Sequence, residues 1–307
     1  MDEANQAGGA ESPDQTDIAG VRALLGAKPR PVGWSERRRR IEEVGTAWPA
    51  AADIALESVD AGGVAAEWSR APGVDATRAL LFLHGGGYCS GSIVSHRAVA
   101  TEAGRALGAP ALAVDYRRAP EHPFPAAVDD AVTAWEWLRG QGFAADRIVV
   151  GGDSAGAGLS LALWQRLRAA GEATPGCLWL VSPWTDLTMS GGSIQSKDDV
   201  DPLLHRAYLE ELAAAYVPPG IARDDPFVSP LFADLTGLPP TLIQVGTDET
   251  LLDDALRLAA AAAHHDADVT LQVWPHMIHA FPLWNRGLAE GSDALARFAA
   301  FARARQT

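Results

Sequence analysis

Basic residues are scarce in this sequence. Only 25 Lys and Arg stand against 39 Asp and Glu, giving a formal charge of −14 over 307 residues. Recognition of a phosphate backbone needs a cationic surface, so nucleic-acid binding is excluded as the main activity. The same imbalance speaks against stable association with an anionic membrane. The one basic cluster, Arg37–Arg40, is followed at once by Glu42 and Glu43 and reads as the solvated face of an early helix. Cysteine is nearly absent. Cys89 and Cys177 form no CxxC pair, no metal-ligand spacing and no disulfide framework. Each adjoins an apolar run, where a small buried side chain is expected, although one long-range disulfide stays open. No apolar run approaches the ~20 residues that span a bilayer. The acidic start of the chain lacks the apolar core of a secretory signal. A soluble cytoplasmic protein without metal or cofactor is expected.

What is present is a rhythm of short apolar runs and helical patterns. Residues 1–16 are small, polar and acidic and are expected to be disordered. Helical spacing extends from Asp17 to Trp48, then two alternating segments near 53–58 and 63–68 read as an antiparallel pair at a sheet edge. Continuous apolar strands are expected at 79–83, 111–115, 148–150, 177–181, 241–245 and 269–274. Helices are expected at 127–138, 159–170, 251–264 and from about 290. The rhythm breaks between about 185 and 226, which reads as an insertion carrying one short helix near 202–216. Strands alternating with helices predict a mostly parallel central sheet flanked by helices, an α/β architecture.

Chemistry in such sheets collects at the carboxyl ends of strands. The run Gly152-Asp153-Ser154-Ala155-Gly156 joins a strand to a helix through a tight turn, with small residues two positions either side of the serine. This arrangement, a nucleophile elbow, lifts a hydroxyl above the sheet. A serine hydroxyl needs a base, and the base needs a carboxylate to fix its tautomer. After the fifth apolar strand, Asp248 is the first carboxylate, with Glu249 its nearest rival; Asp253 and Asp254 are expected to be exposed acids complementing a helix dipole. After the last strand come His276 and His279, of which His279, before Ala280-Phe281, is the expected base. The triad read from the chain is therefore Ser154, Asp248 and His279. The glycines of His84-Gly85-Gly86-Gly87 bring no packing at a strand end and are explained if bare N–H groups face an oxyanion. Gly86, Gly87 and Ala155 are the expected donors, and His84 is expected to pin the loop.

These motifs together resemble the hormone-sensitive-lipase-like family of α/β-hydrolases, the bacterial family IV carboxylesterases. The resemblance runs from about residue 79 to 284. Besides the glycine loop and elbow, it rests on residues 115–130, Ser182-Pro183-Trp184-Thr185-Asp186, Ser229-Pro230-Leu231 and the stretches around Asp248 and His279. It implies the α/β-hydrolase fold, with a helical cap built from about residues 17–50 and 187–225 on a single domain spanning 17–307. The family pattern assigns the same nucleophile, base, acid and oxyanion donors. One departure is Ala157, where a second glycine is usual; Gly158 follows it.

The expected activity is hydrolysis of small to medium acyl esters through an acyl-enzyme. A lactone hydrolase of the monoterpene ε-lactone type and a secondary-metabolite deacetylase are alternatives using the same residues. The family resemblance also extends to plant ligand receptors that lack the catalytic histidine, a remote alternative here because His279 is retained. Tyr88, Trp184, Tyr208 and Trp284 are expected near the substrate. The expected partner is a small-molecule ester or lactone, and a homodimer stays open because many family members are dimers.

Overall fold

The computed structural model describes residues 16–305. Its centre is an eight-stranded sheet of order β1-β2-β4-β3-β5-β6-β7-β8. β1 (Ala55–Asp60) and β2 (Ala65–Arg70) form the antiparallel edge, and β2 runs antiparallel to β4 (Ala111–Val114). From β4 onward all pairings are parallel: β3 (Ala79–Leu83), β5 (Ile148–Asp153), β6 (Cys177–Val181), β7 (Thr241–Gly246) and β8 (Val269–Trp274). The six parallel strands put their carboxyl ends on one edge, where the elbow, the glycine loop and the His279 loop all emerge. This is the α/β-hydrolase fold.

Strand alternation sorts the core into two layers. Leu81 and Leu83 of β3 face one side with Val128 and Leu161, whereas Leu80 and Phe82 face the other with Val99 and Phe298. Helices α4 (Ala126–Gly140), α5 (Ala155–Ala169) and α8 (Leu252–His264) cover the first face, and α3 (Ile93–Leu107) and α9 (Ala289–Arg303) cover the second. Trp179 of β6 stacks on Phe298 of α9 with centroids 4.2 Å apart. Cys89 and Cys177 belong to different layers, and both are buried free thiols, so no disulfide joins them. Burial pushes both thiols up to about 12, which leaves them unreactive.

The apolar pattern misses α3 because small residues carry much of its inward face, Ala100, Ala103 and Gly104 among them. Its boundaries are nevertheless written in the chain. Ser92 caps it in a reciprocal box with Ser95, and Gly108 ends it in the left-handed conformation.

Two helices precede the sheet, α1 (Ile18–Gly26) and α2 (Trp34–Gly45). The insertion carries α6 (Ser193–Ser196) and α7 (Arg206–Tyr216). The proposed disordered tail lies outside the described residues except Thr16, whose N–H donates to the Gly287 carbonyl at 2.9 Å.

The basic cluster departs from the solvated face expected of it. Only Arg39 is well exposed, at 61% of its side chain. Arg38 donates to the carbonyls of Cys89 and Ala119 and to Glu121, while Arg37 and Arg40 are 10% and 12% exposed and turn toward the strand edge that carries Ser154. The long guanidinium side chains are drawn inward because carbonyls and acids of other segments await them there.

Candidate active site

Ser154 sits between β5 and α5 at φ +56°, ψ −121°, a conformation that L-residues rarely adopt. The strain is held by hydrogen bonds on both sides. Its N–H donates to Val181 O at 2.8 Å, and its carbonyl accepts from Trp184 N at 3.1 Å. Helix and strand meet so closely that a methyl group at Gly156 would lie 2.0 Å from Leu83 O, and one at Gly152 2.2 Å from the same atom. The turn therefore requires glycine at both positions. Ala157 is tolerated because it points into the core, fully buried.

The glycine loop leaves β3 beside the elbow. Gly86 has φ +109°, and a Cβ there would sit 2.4 Å from Ser90 O, so only glycine fits. The Gly86 carbonyl is tied inward, accepting from Cys89 N and Ser90 N at 3.1 and 2.9 Å. His84 anchors the loop from behind: its ring stacks on Tyr116 with centroids 4.1 Å apart, and Nδ1 donates to Gly85 O at 2.8 Å. Burial, with His96 beside it, lowers the imidazole to about 3, so it stays neutral. Gly85 N donates to Asp153 Oδ1 at 3.0 Å, which locks the glycine loop to the elbow itself.

His279 Nδ1 lies 2.7 Å from Glu249 Oε2, with the histidine nearly and the carboxylate wholly buried. Asp248, the acid expected in this place, points the other way. Its Oδ2 accepts from Arg22 of α1 at 2.8 Å, and it remains partly exposed. The reason is the path of the chain after β7. Thr247 N and Asp248 N pair with Trp274 O and Met277 O of the neighbouring loop, and successive side chains then project to opposite sides. The inward one is Glu249, whose Oε1 also accepts from Gly246 N at 2.7 Å and Ser182 Oγ at 2.9 Å. Ser182 Oγ in turn accepts from Ala280 N at 2.9 Å, bridging the two loops, a role that its place in Ser182-Pro183-Trp184 did not reveal. Burial raises the Glu249 carboxyl above the ordinary range, and the bond from His279 opposes that rise. Burial alone would lower His279, but the hydrogen bond and charge of Glu249 outweigh it and raise the imidazole.

Ser154, His279, Gly86 and Gly87 open on one cavity of about 190 Å³, together with Trp184, Tyr208 and Trp284. Its walls come from the residues joining α1 to α2, from α2, and from α7, whose Leu212 rests against Gly87. Tyr88 is not on this wall. At φ +60° it turns back into the core and stacks on Tyr216 at 3.8 Å, so its expected contact with substrate is corrected. Asp254 is likewise no exposed helix acid: it is fully buried and accepts from Thr185 N and Asp186 N at 2.8 and 2.9 Å. Burial pushes its carboxyl up to about 7. Asp253 accepts from Ser193 N at 2.9 Å, so both acids fasten the insertion to α8. Among the described residues no group of His, Cys, Asp or Glu is placed to hold a metal ion, and no helix is long and apolar enough to cross a membrane.

Comparison with known proteins agrees with this architecture. A family model described as the alpha/beta hydrolase fold matches residues 80–283. An acetyl-hydrolase of Streptomyces hygroscopicus is 45% identical over 245 residues, covering 80% of this chain and 81% of its own. An esterase of Acinetobacter venetianus is 38% identical over 249 residues, covering 81% and 82%. The crystal structure of an esterase from the bacterial hormone-sensitive lipase family superposes with a TM-score of 0.90 at 41% identity, covering 94% of this chain and 96% of that one.

Proposed function

The chain belongs to the hormone-sensitive-lipase-like family of α/β-hydrolases, and from that premise we propose that it is a serine carboxylesterase for small to medium acyl esters. The observation that carries this reading is the buried Glu249–His279 pair opening on the same cavity as Ser154 at its strained turn. With Nδ1 committed to Glu249, His279 Nε2 is the nitrogen that takes the Ser154 proton as Oγ attacks the ester carbonyl. The oxyanion is received by the N–H groups of Gly86, Gly87 and Ala155. His279 then gives its proton to the leaving alcohol. Water, deprotonated by His279, attacks the acyl-enzyme, and collapse of that intermediate frees the acid and restores Ser154. Residues 17–50 and 187–225 act as the cap, with Trp184, Tyr208 and Trp284 shaping the space for the substrate.

A second reading is removal of an acetyl group from a larger molecule, favoured by the likeness to an acetyl-hydrolase. It uses the same residues. Hydrolysis of p-nitrophenyl esters of increasing chain length, beside lactones of several ring sizes, tests both. Activity is expected to peak at short acyl chains and to fall on the order of 10⁶-fold in kcat in Ser154→Ala. An inert native protein, or an equally active variant, would overturn the proposal.

A further inference from the structure

The cavity has an electrostatic character opposite to that of the chain. Four cations line it, Lys28, Arg30, Arg37 and Arg40, against a single lining carboxylate, Asp153. Asp153 is 4% exposed and already holds Gly85 N, so it offers nothing to a ligand. Carboxylates from outside the wall answer some of this charge. Glu211 pairs with Arg37, whose guanidinium also lies over the rings of Trp34 and Tyr208. Glu43 is shared by Lys28, Arg39 and Arg40, and Glu36 takes Arg39. With Asp153 included, five cations thus meet four carboxylates, and the patch is left positive by one on a protein of formal charge −14.

The surplus has an address. Among the described residues Arg30 has no carboxylate partner; its guanidinium reaches only the Asp201 carbonyl, at 3.5 Å. Arg30 and Lys28 are exposed and stand on the segment joining α1 to α2, while Leu204, Leu209 and Leu212 supply apolar wall from the insertion. A charge at an apolar wall is screened less than one on an open surface, because field lines are focused through low-dielectric walls. An open-surface pair would be worth little.

We propose that this site selects esters carrying a carboxylate remote from the scissile bond, received by Arg30 with Lys28 beside it. A guanidinium fork matches a carboxylate in two parallel hydrogen bonds, and the apolar walls take the carbon skeleton between anion and ester. The rest of the acidic surface repels such a substrate, so the patch also marks where it enters. The inference deepens the esterase reading and rests on it.

The test compares matched pairs that differ only in charge. On the acyl side these are ethyl hydrogen adipate and ethyl adipamate; on the alcohol side, 4-acetoxybenzoate and 4-acetoxybenzamide. Each kcat/KM is divided by the alkaline hydrolysis rate of the same ester. In one arm at least, the anionic ester is expected to be favoured about tenfold at low ionic strength, and the arm identifies which end of the substrate bears the carboxylate. The ratio is expected to shrink in molar salt, where the Debye length is about 3 Å, and to invert in Arg30→Glu. A ratio of one or less in both arms overturns the proposal, as does a preference that survives in both Arg30→Glu and a Lys28→Gln/Arg30→Gln double variant. Failure to hydrolyse all four esters and p-nitrophenyl acetate would instead remove the esterase reading beneath it.

Discussion

The floor of the site and its cover are built by different means. The floor is backbone held against backbone: Gly156 packs under Leu83 O, the Gly86 carbonyl closes its own turn, and the Asp248 N–H pairs with Met277 O. Its side-chain bonds, among them Glu249 with His279 and Asp153 with Gly85 N, are buried. The cover is stitched by long side chains on partly exposed pairs, Arg22 with Asp248, Arg37 with Glu211 and Arg223 with Glu210 at 2.7 Å. Backbone contacts of the first kind hold reacting groups to fractions of an ångström, whereas exposed ion pairs contribute little each and yield readily. On the proposed mechanism this difference puts rate in the floor and selection in the cover.

The sharpest way to break this division is to exchange the two neighbouring acids. Glu249→Gln is expected to lower kcat on p-nitrophenyl butyrate about 10³–10⁴-fold by leaving the His279 tautomer unfixed. Asp248→Asn, which touches only the cover, is expected to cost less than about tenfold, as a partly exposed pair is worth ~1 kcal/mol or less. Equal losses would put Asp248 back in the floor. The pH profile sharpens the same contrast. Native His279 is raised above its usual 6.5, and only the neutral imidazole accepts the serine proton, so activity declines as pH falls through that raised value. Glu249→Gln removes what raises it, so its residual activity is expected to persist to lower pH than the native enzyme's.

Next in size is Gly86→Ala. A methyl at φ +109° and 2.4 Å from Ser90 O must displace the loop. Loss of one oxyanion donor predicts a fall of about 10²–10³ in kcat with KM little changed, read by steady-state kinetics beside a thermal melt. The smallest effect belongs to the cover. Arg37→Ala removes the link between α2 and α7, and a few-fold rise in KM at nearly constant kcat is expected, consistent with ~1 kcal/mol for a partly exposed pair with stacking. A drop in kcat comparable to that of Gly86→Ala would show that the cover takes part in the chemistry.

Legibility in the chain follows the same line. Ser154, Gly86, Gly87 and His279 could be read because each is bound to a local backbone requirement: a turn too tight for a side chain, a strand end without packing, a loop after the last strand. α3 was marked by Ser92, Ser95 and Gly108, but its alanines hid it from an apolar count. Tyr88 could not be placed, since a positive φ turns it from the cavity into a stack on Tyr216. Asp254 looked like an exposed helix acid until the residues of the Trp184 loop closed over it.

Local sequence alone thus determined the order of the strands and of the helices other than α3 and α6, the elbow serine, the glycine loop and the histidine after the last strand. The elbow and the glycine loop depend on conformations that few residues adopt, and the elements around them on apolar periodicity. Only the tertiary structure decided which of two adjacent acids faces His279 and where the cations of α2 point. Asp248 and Glu249 are equivalent as carboxylates. They are separated by the packing of the loop after β7 against residues 274–277, a contact between segments that are distant along the chain. The positive lining has the same origin, because Lys28, Arg30, Arg37 and Arg40 come to border Ser154 only when the N-terminal helices fold over the sheet edge.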